Sequence, residues 1–134
     1  MKKVLIKKLK RVFSRISEKY GIVYSILFGS FQKGYEWEES DLDIAIKLKE
    51  SLPFKKKLRL MSKISEEIEK KVGIETDIII LNDAPLGLKF EIFKNGKIIY
   101  SKNNEIIEDK SRVIGEYLDF SIWARPLFKK LMKV

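Results

Sequence analysis

Cysteine and histidine are both absent from the 134 residues of the chain. Without cysteine there are no disulfides and no thiolate metal sites, which suits a reducing compartment. The lack of histidine excludes more: Ser-His-Asp hydrolysis, His-ligated zinc and imidazole acid–base catalysis are all closed to this chain. Any metal it binds is held by oxygen. Long hydrophobic runs are missing too, since none approaches the roughly 18–20 apolar residues that span a bilayer. Met1-Lys2-Lys3 begins basic, but Lys7 and Lys8 cut the Val4-Leu5-Ile6 run at once, leaving no signal-peptide core. The expectation is a cytoplasmic protein without membrane contact, folded as a single domain over residues 1–134 with one core.

Acidic residues are the minority charge, 19 against 28 Lys plus Arg, for a net charge of +9. Such a balance attracts nucleic acid or nucleoside triphosphates. It equally describes a Lys/Glu-rich surface of the kind thermophilic proteins carry. The basic residues are spread along several elements with no Arg-rich tract or stacked-aromatic motif, so nucleic acid is possible but not favoured.

Hydrophobic spacing lays out the elements. Leu5, Leu9, Val12, Phe13, Ile16 and Tyr20 follow helical periodicity, and Gly21 is a natural stop. Residues 22–28 form a continuous apolar run, a strand buried on both faces. A second strand is expected near Leu42–Lys47. Pro53 opens a helix whose stripe is Leu58, Met61, Ile64, Ile68 and Val72, closed by Gly73. Asp77-Ile78-Ile79-Ile80-Leu81 reads as a third strand. Asn82-Asp83-Ala84-Pro85 carries the cap signals of a short helix to about Phe93. Asn95-Gly96 turns into a fourth strand, Lys97–Tyr100, and Asn103 or Asn104 caps a final helix from about 104 to Arg125, where Pro126 interrupts it. The order α-β-β-α-β-α-β-α predicts an α/β (α+β) fold, a small mixed sheet flanked by helices.

Within this frame Gly29-Ser30 leaves the first strand, and Asp41-Leu42-Asp43-Ile44 opens the second. Alternate residues of a strand share a face, roughly 6.5–7 Å apart, so Asp41 and Asp43 stand together while Leu42, Ile44 and Ile46 point into the core. Two neighbouring carboxylates repel unless protons or cations intervene, and magnesium with its hard oxygen ligands is the ordinary solution. Asp77 opens a third strand whose other residues belong in a core. Singly, each acid has an ordinary reading as a turn residue, a salt-bridge partner or a strand-end acid. Together with the Gly-Ser turn they would need three separate coincidences.

Gly29-Ser30-x10-Asp41-Leu42-Asp43-Ile44 with a later Asp77 resembles the signature of the DNA polymerase β-type nucleotidyltransferase superfamily. More closely, the chain resembles the minimal nucleotidyltransferases (MNT) of bacteria and archaea, over about residues 20–102. Gly29-Ser30-Phe31-Gln32-Lys33-Gly34 stands where that family commonly has Gly-Ser-x-Ala-Arg-Gly. Asp77-Ile78-Ile79-Ile80-Leu81-Asn82-Asp83-Ala84-Pro85 and Lys94–Tyr100 extend the likeness. Lys33 keeps the positive charge of the family's arginine but loses its bidentate fork.

The resemblance implies a nucleotidyltransferase fold and transfer of a nucleoside monophosphate, AMP from ATP, to an acceptor hydroxyl with release of pyrophosphate. It implies that Asp41 and Asp43 bridge two Mg2+ ions and that Asp77 completes the catalytic one. It also implies that Gly29, Ser30 and Lys33 meet the triphosphate. Minimal nucleotidyltransferases often pair with a HEPN-domain toxin, so the resemblance implies an antitoxin that attaches AMP to a tyrosine of that partner. Two other readings stay open: a non-catalytic antitoxin that neutralises by binding, and a small basic RNA-binding module. The final helix carries Val113, Ile114, Tyr117, Leu118, Phe120, Ile122 and Trp123 on more than one stripe, which marks it for deep burial or for sharing with another chain in a homo- or hetero-oligomer. Tyr35 and Trp37 could stack a base or touch a partner, with an ordinary loop anchor as the simpler reading.

Overall fold

The computed structural model describes residues 2–29 and 42–132. In chain order the elements are α1 (Lys2–Tyr20), β1 (Ile22–Phe28), β2 (Leu42–Leu48), α2 (Phe54–Val72), β3 (Thr76–Ile80), a 3-10 turn (Leu81–Asp83), α3 (Leu86–Asn95), β4 (Lys97–Ser101) and α4 (Glu105–Met132). The expected order is therefore observed. Gly21 and Gly73 end α1 and α2 in the left-handed region, at φ 68° and 71°, where a side chain would be strained.

The four strands lie in the order β3-β2-β1-β4. β1 pairs antiparallel with both β2 and β4, whereas β2 and β3 run parallel. A parallel pair needs a crossover, and α2 supplies it. β1 and β2 are central, which is why their sequences are nearly all apolar.

On one face Ile22, Leu27, Leu42, Ile44, Ile46 and Leu48 meet Leu9, Phe13 and Ile16 of α1 and Ile64 and Ile68 of α2. On the other, Tyr24, Ile26 and Ala45 meet Ile92 and Phe93 of α3 and Ile106 and Val113 of α4. The pleat puts Asp43 and Lys47 on this second face beside Ala45. Among the described residues no helix is long and apolar enough to cross a membrane.

Three local expectations are revised. Asn82 caps no helix: its amide accepts from the Leu48 N–H at 2.9 Å and donates to the Leu48 carbonyl at 3.0 Å, standing in for a strand neighbour at the end of β2. α3 instead begins after Pro85, without a side-chain cap. The final helix does not stop at Arg125 but continues through Pro126 to Met132. Pro126 removes one helical donor, leaving the carbonyl of Ile122 without its partner. Ile122 is 70% exposed, so water can take that carbonyl and the helix survives. As expected, Asn103 tethers the start of α4, its side-chain oxygen accepting from the Glu105 N–H at 2.9 Å.

Gly96, with an extended backbone at φ −79°, is required by packing and not by its conformation. A Cβ there would overlap Ile26 Cγ2 and the Ile92 carbonyl oxygen. Gly96→Ala is expected to destabilise the fold by about 1–3 kcal/mol, as overpacking does. Urea denaturation checks it, the midpoint falling while the slope stays unchanged.

Candidate active site

The register of three strands builds the site. Asp43 pairs with Phe28 across the antiparallel β1–β2 ladder and with Asp77 across the parallel β2–β3 ladder. Asp43 and Asp77 therefore share a row and a face, on strands about 4.8 Å apart. Their alternate neighbours Leu42, Ile44, Ile78 and Ile80 are buried on the opposite face. Asp43 is half-buried and Asp77, on an edge strand, is exposed.

Gly29 follows Phe28 at φ 82°. A Cβ on it would collide with Oδ2 of Asp43. Glycine here serves both the left-handed backbone and the approach of that backbone to a carboxylate. Asp43, Asp77 and Gly29 are thus brought together. Asp41, Ser30 and Lys33 lie outside the described residues, as do Tyr35 and Trp37.

Two carboxylates at adjacent register positions offer hard oxygen donors, a donor set that fits magnesium. Among the described residues no group of three or more acidic side chains converges. Asp43 and Asp77 supply that donor set, and Asp41 stands two residues before Asp43 in the sequence.

Sequence reasoning missed a second polar cluster on the same face. Asp109 of α4 is only 5% exposed. The Tyr24 hydroxyl donates to its Oδ2 at 2.7 Å, Lys47 Nζ stands 3.2 Å from the same oxygen, and Arg112 Nη2 donates to Oδ1 at 3.1 Å. Burial opposes the charge on Asp109, but the Tyr24 hydroxyl and the Lys47 ammonium outweigh it and hold the carboxyl below its usual range. Burial, reinforced by the bond to Asp109, pushes the Tyr24 hydroxyl far above the usual tyrosine range. Lys47 lies four residues from Asp43, about 13 Å along the strand at the usual rise, so this cluster docks α4 and takes no part at the carboxylate row. Tyr24 was the available signal: a phenol inside a buried, mostly apolar strand usually finds a hydrogen-bond partner.

The profile of the Polymerase beta, Nucleotidyltransferase family matches residues 7–105, three-quarters of the chain and all of the carboxylate row. The chain belongs to this nucleotidyltransferase family. No curated protein sequence matches it. Among solved structures, a chain of a toxin–antitoxin complex with AMP-PNP superposes with a TM-score of 0.72 at 16% identity, covering 92% of this chain and 98% of that one. A chain of a tri-AMPylated HEPN toxin from Shewanella oneidensis in complex with an MNT antitoxin gives 0.69 at 15% identity, covering 98% and 99%. A chain of the MntA-HepT toxin–antitoxin gives 0.68 at 15% identity, covering 97% and 98%. At these identities the likeness is one of fold. The sequence-level expectation of a nucleotidyltransferase fold is borne out.

In this nucleotidyltransferase, Gly29→Ala is expected to cost about 1–3 kcal/mol through backbone strain and displacement of Asp43. Gly73→Ala has the same positive φ but open space around its Cβ. It should cost less, and the difference in thermal midpoints reports the crowding at Asp43.

Asp109→Asn is expected to cost about 2–3 kcal/mol at neutral pH, because Lys47 is left half-buried without its charge partner. A lowered folded-state pKa contributes stability above the unfolded carboxylate value of about 3.9, lost as pH falls through the folded value. The raised Tyr24 contributes below about 10 and its contribution fades as pH rises beyond. The stability gap between wild type and Asp109→Asn should therefore be level from about pH 5 to 9 and narrow below about pH 4. Urea midpoints measured across pH check this.

Proposed function

We propose that the protein is a magnesium-dependent nucleotidyltransferase that moves AMP from ATP to a tyrosine hydroxyl of a HEPN-domain toxin and so acts as its antitoxin. The observation that carries the reading is the in-register pair Asp43–Asp77, with Gly29 held against Asp43, in a chain of the nucleotidyltransferase family. The AMP-PNP in one structural neighbour and the tri-AMPylated HEPN toxin in another support the nucleotide and the acceptor.

In this reading Asp41, Asp43 and Asp77 hold two Mg2+ ions. When bound, such ions neutralise phosphate charge and stabilise both the attacking and the leaving oxygen of an in-line displacement. The half-buried Asp43 is fixed by two ladders and positions the α-phosphate end of the nucleotide. Gly29 and Ser30 receive the triphosphate, the backbone coming close where no side chain intervenes, and Lys33 contributes a cation to the outer phosphates. Asp77, exposed on the edge strand, accepts the proton of the incoming hydroxyl. The bond from acceptor oxygen to the α-phosphorus forms as the bond from that phosphorus to the bridging oxygen breaks, and pyrophosphate leaves.

The exposed apolar length of α4 favours a second reading, an antitoxin that neutralises by binding alone. Incubation of the protein with its cognate toxin, Mg2+ and ATP labelled in the α-phosphate separates the two. The expected outcome is label on a toxin tyrosine, lost on chelation of Mg2+ and reduced at least about 100-fold in Asp43→Asn and in Asp41→Asn, as loss of a metal ligand demands. Asp77→Asn should lower transfer with little change in nucleotide binding. Full neutralisation by unlabelled complex with Asp43→Asn would refute the catalytic reading and leave the binding one.

A further inference from the structure

Basic residues that are scattered along the chain are gathered by the fold onto one layer. α1 and α2 hold fifteen of the 28 Lys and Arg and four of the 19 Asp and Glu. Their net charge of +11 exceeds the +9 of the whole chain. On the other side of the sheet, α3 and α4 hold seven basic and six acidic residues. Within the basic layer Lys19 Nζ stands 3.5 Å from Glu67 Oε1, which identifies the flanks of α1 and α2 that border each other. Residues three and four apart share a helix flank, so Lys8, Arg11 and Arg15 stand in line with Lys19. By the same spacing Lys56, Lys63 and Lys70 stand in line with Glu67. These seven cations are all exposed. At 1.5 Å per residue the two lines are about 16 and 21 Å long. Glu67 is the acid in them, and it serves Lys19.

We infer that this face of α1 and α2 is a docking surface for duplex nucleic acid, held through its phosphates without regard to sequence. The cations do not serve the carboxylate row, because Asp43 and Asp77 stand on the opposite face of the sheet. Nor do they balance acids of their own layer, which they outnumber almost four to one. An extended face of one sign draws a polyanion, and a duplex carries one charge per about 1.7 Å of its axis. Cations about 5–6 Å apart in two lines on rigid helices can meet successive phosphates of such a backbone. A single strand calls for aromatic platforms on which its bases stack. Among the described residues these lines hold none. Tyr20, beside them, packs against the core with Lys19 over its ring at 4.8 Å. A membrane surface calls for apolar side chains beneath the cations. Here the apolar stripes of both helices are buried against the sheet. The exposed Leu58 lies nine residues from Glu67, about two and a half turns, and so on the far side of α2. This inference stands independently of the catalytic reading.

Fluorescence anisotropy of the full chain with a labelled duplex of about 24 base pairs, in EDTA and without nucleotide, tests it. Binding of about micromolar affinity or tighter is expected at about 50 mM salt, alike for RNA and DNA because phosphates are the contacts. With about six phosphates engaged, log K should fall against log salt with a slope of about −5. Lys8→Gln/Arg11→Gln/Arg15→Gln, all at exposed positions, should make that slope shallower by about 3 and weaken binding at least about 30-fold at about 100 mM salt. Lys56→Gln/Lys63→Gln should make it shallower by about 2. The matched triple on the other layer, Lys110→Gln/Lys129→Gln/Lys130→Gln, removes as much charge and should weaken binding less than about 3-fold. Equal losses in the two triples would show that net charge alone acts and would overturn the docking face. So would the absence of binding at about 50 mM salt. Tighter binding to a single strand, to polyglutamate or to phosphatidylserine vesicles than to the duplex would overturn the duplex as occupant.

Discussion

The parallel pairing of β2 with β3 holds two like charges side by side, and the rest of the architecture is arranged to keep that pairing in register. Asp43 and Asp77 repel, so the strands would not choose this alignment for the acids' sake. The opposite face decides it: Leu42, Ile44 and Ile46 of β2 and Ile78 and Ile80 of β3 are buried under α1 and α2. A slip of one residue would drive Asp43 into the Ile64 and Ile68 side chains and turn the isoleucines outward. Burial of several branched side chains, each worth roughly 1.5–3 kcal/mol, outweighs the repulsion of one partly solvated carboxylate pair. The core, not the acids, thus sets where the carboxylate row stands.

The same sheet face carries two carboxylate sites with opposite solutions. At one end Asp109 is enclosed by Tyr24, Lys47 and Arg112, and its charge is spent on attaching α4. At the other, Asp43 and Asp77 lie in a row at an edge strand with the glycine backbone close by. The first is a joint and the second is the candidate site. Fixing α4 through a buried polar joint rather than through its whole length leaves side chains of its distal half, such as Phe120, Trp123 and Leu127, exposed.

The element order and both faces of the sheet were legible in the sequence, because periods of 3.6 and 2 report which side of each element is buried. The stops at Gly21 and Gly73 were legible for the same local reason. Of the candidate site, the sequence pattern named Asp43 on a mostly apolar strand and Asp77 opening a later one, which the register brings into one row, while Asp41 lies outside the described residues. Contacts between distant elements left no such trace. Asn82 looks like a cap from its neighbours but bonds Leu48, 34 residues away. Gly96 looks like a turn residue but is fixed by its closeness to Ile26. Asp109 sits among charged residues on α4 and gave no hint of its burial. Pro126 signals a helix end by its own chemistry, yet exposure of the preceding turn lets the helix run on.

By itself the sequence determined the chemistry open to this protein: oxygen donors only, no imidazole or thiolate, and a Gly-Ser turn followed by spaced aspartates. It also determined the elements, since local periodicity and chain-stopping residues act over a few positions. Only the tertiary structure decided that Asp43 and Asp77 share one row, that Gly29 is pressed against Asp43, and that α4 is buried for half its length and bare for the rest. Those outcomes depend on strand register and on contacts between residues tens of positions apart, which no local pattern encodes.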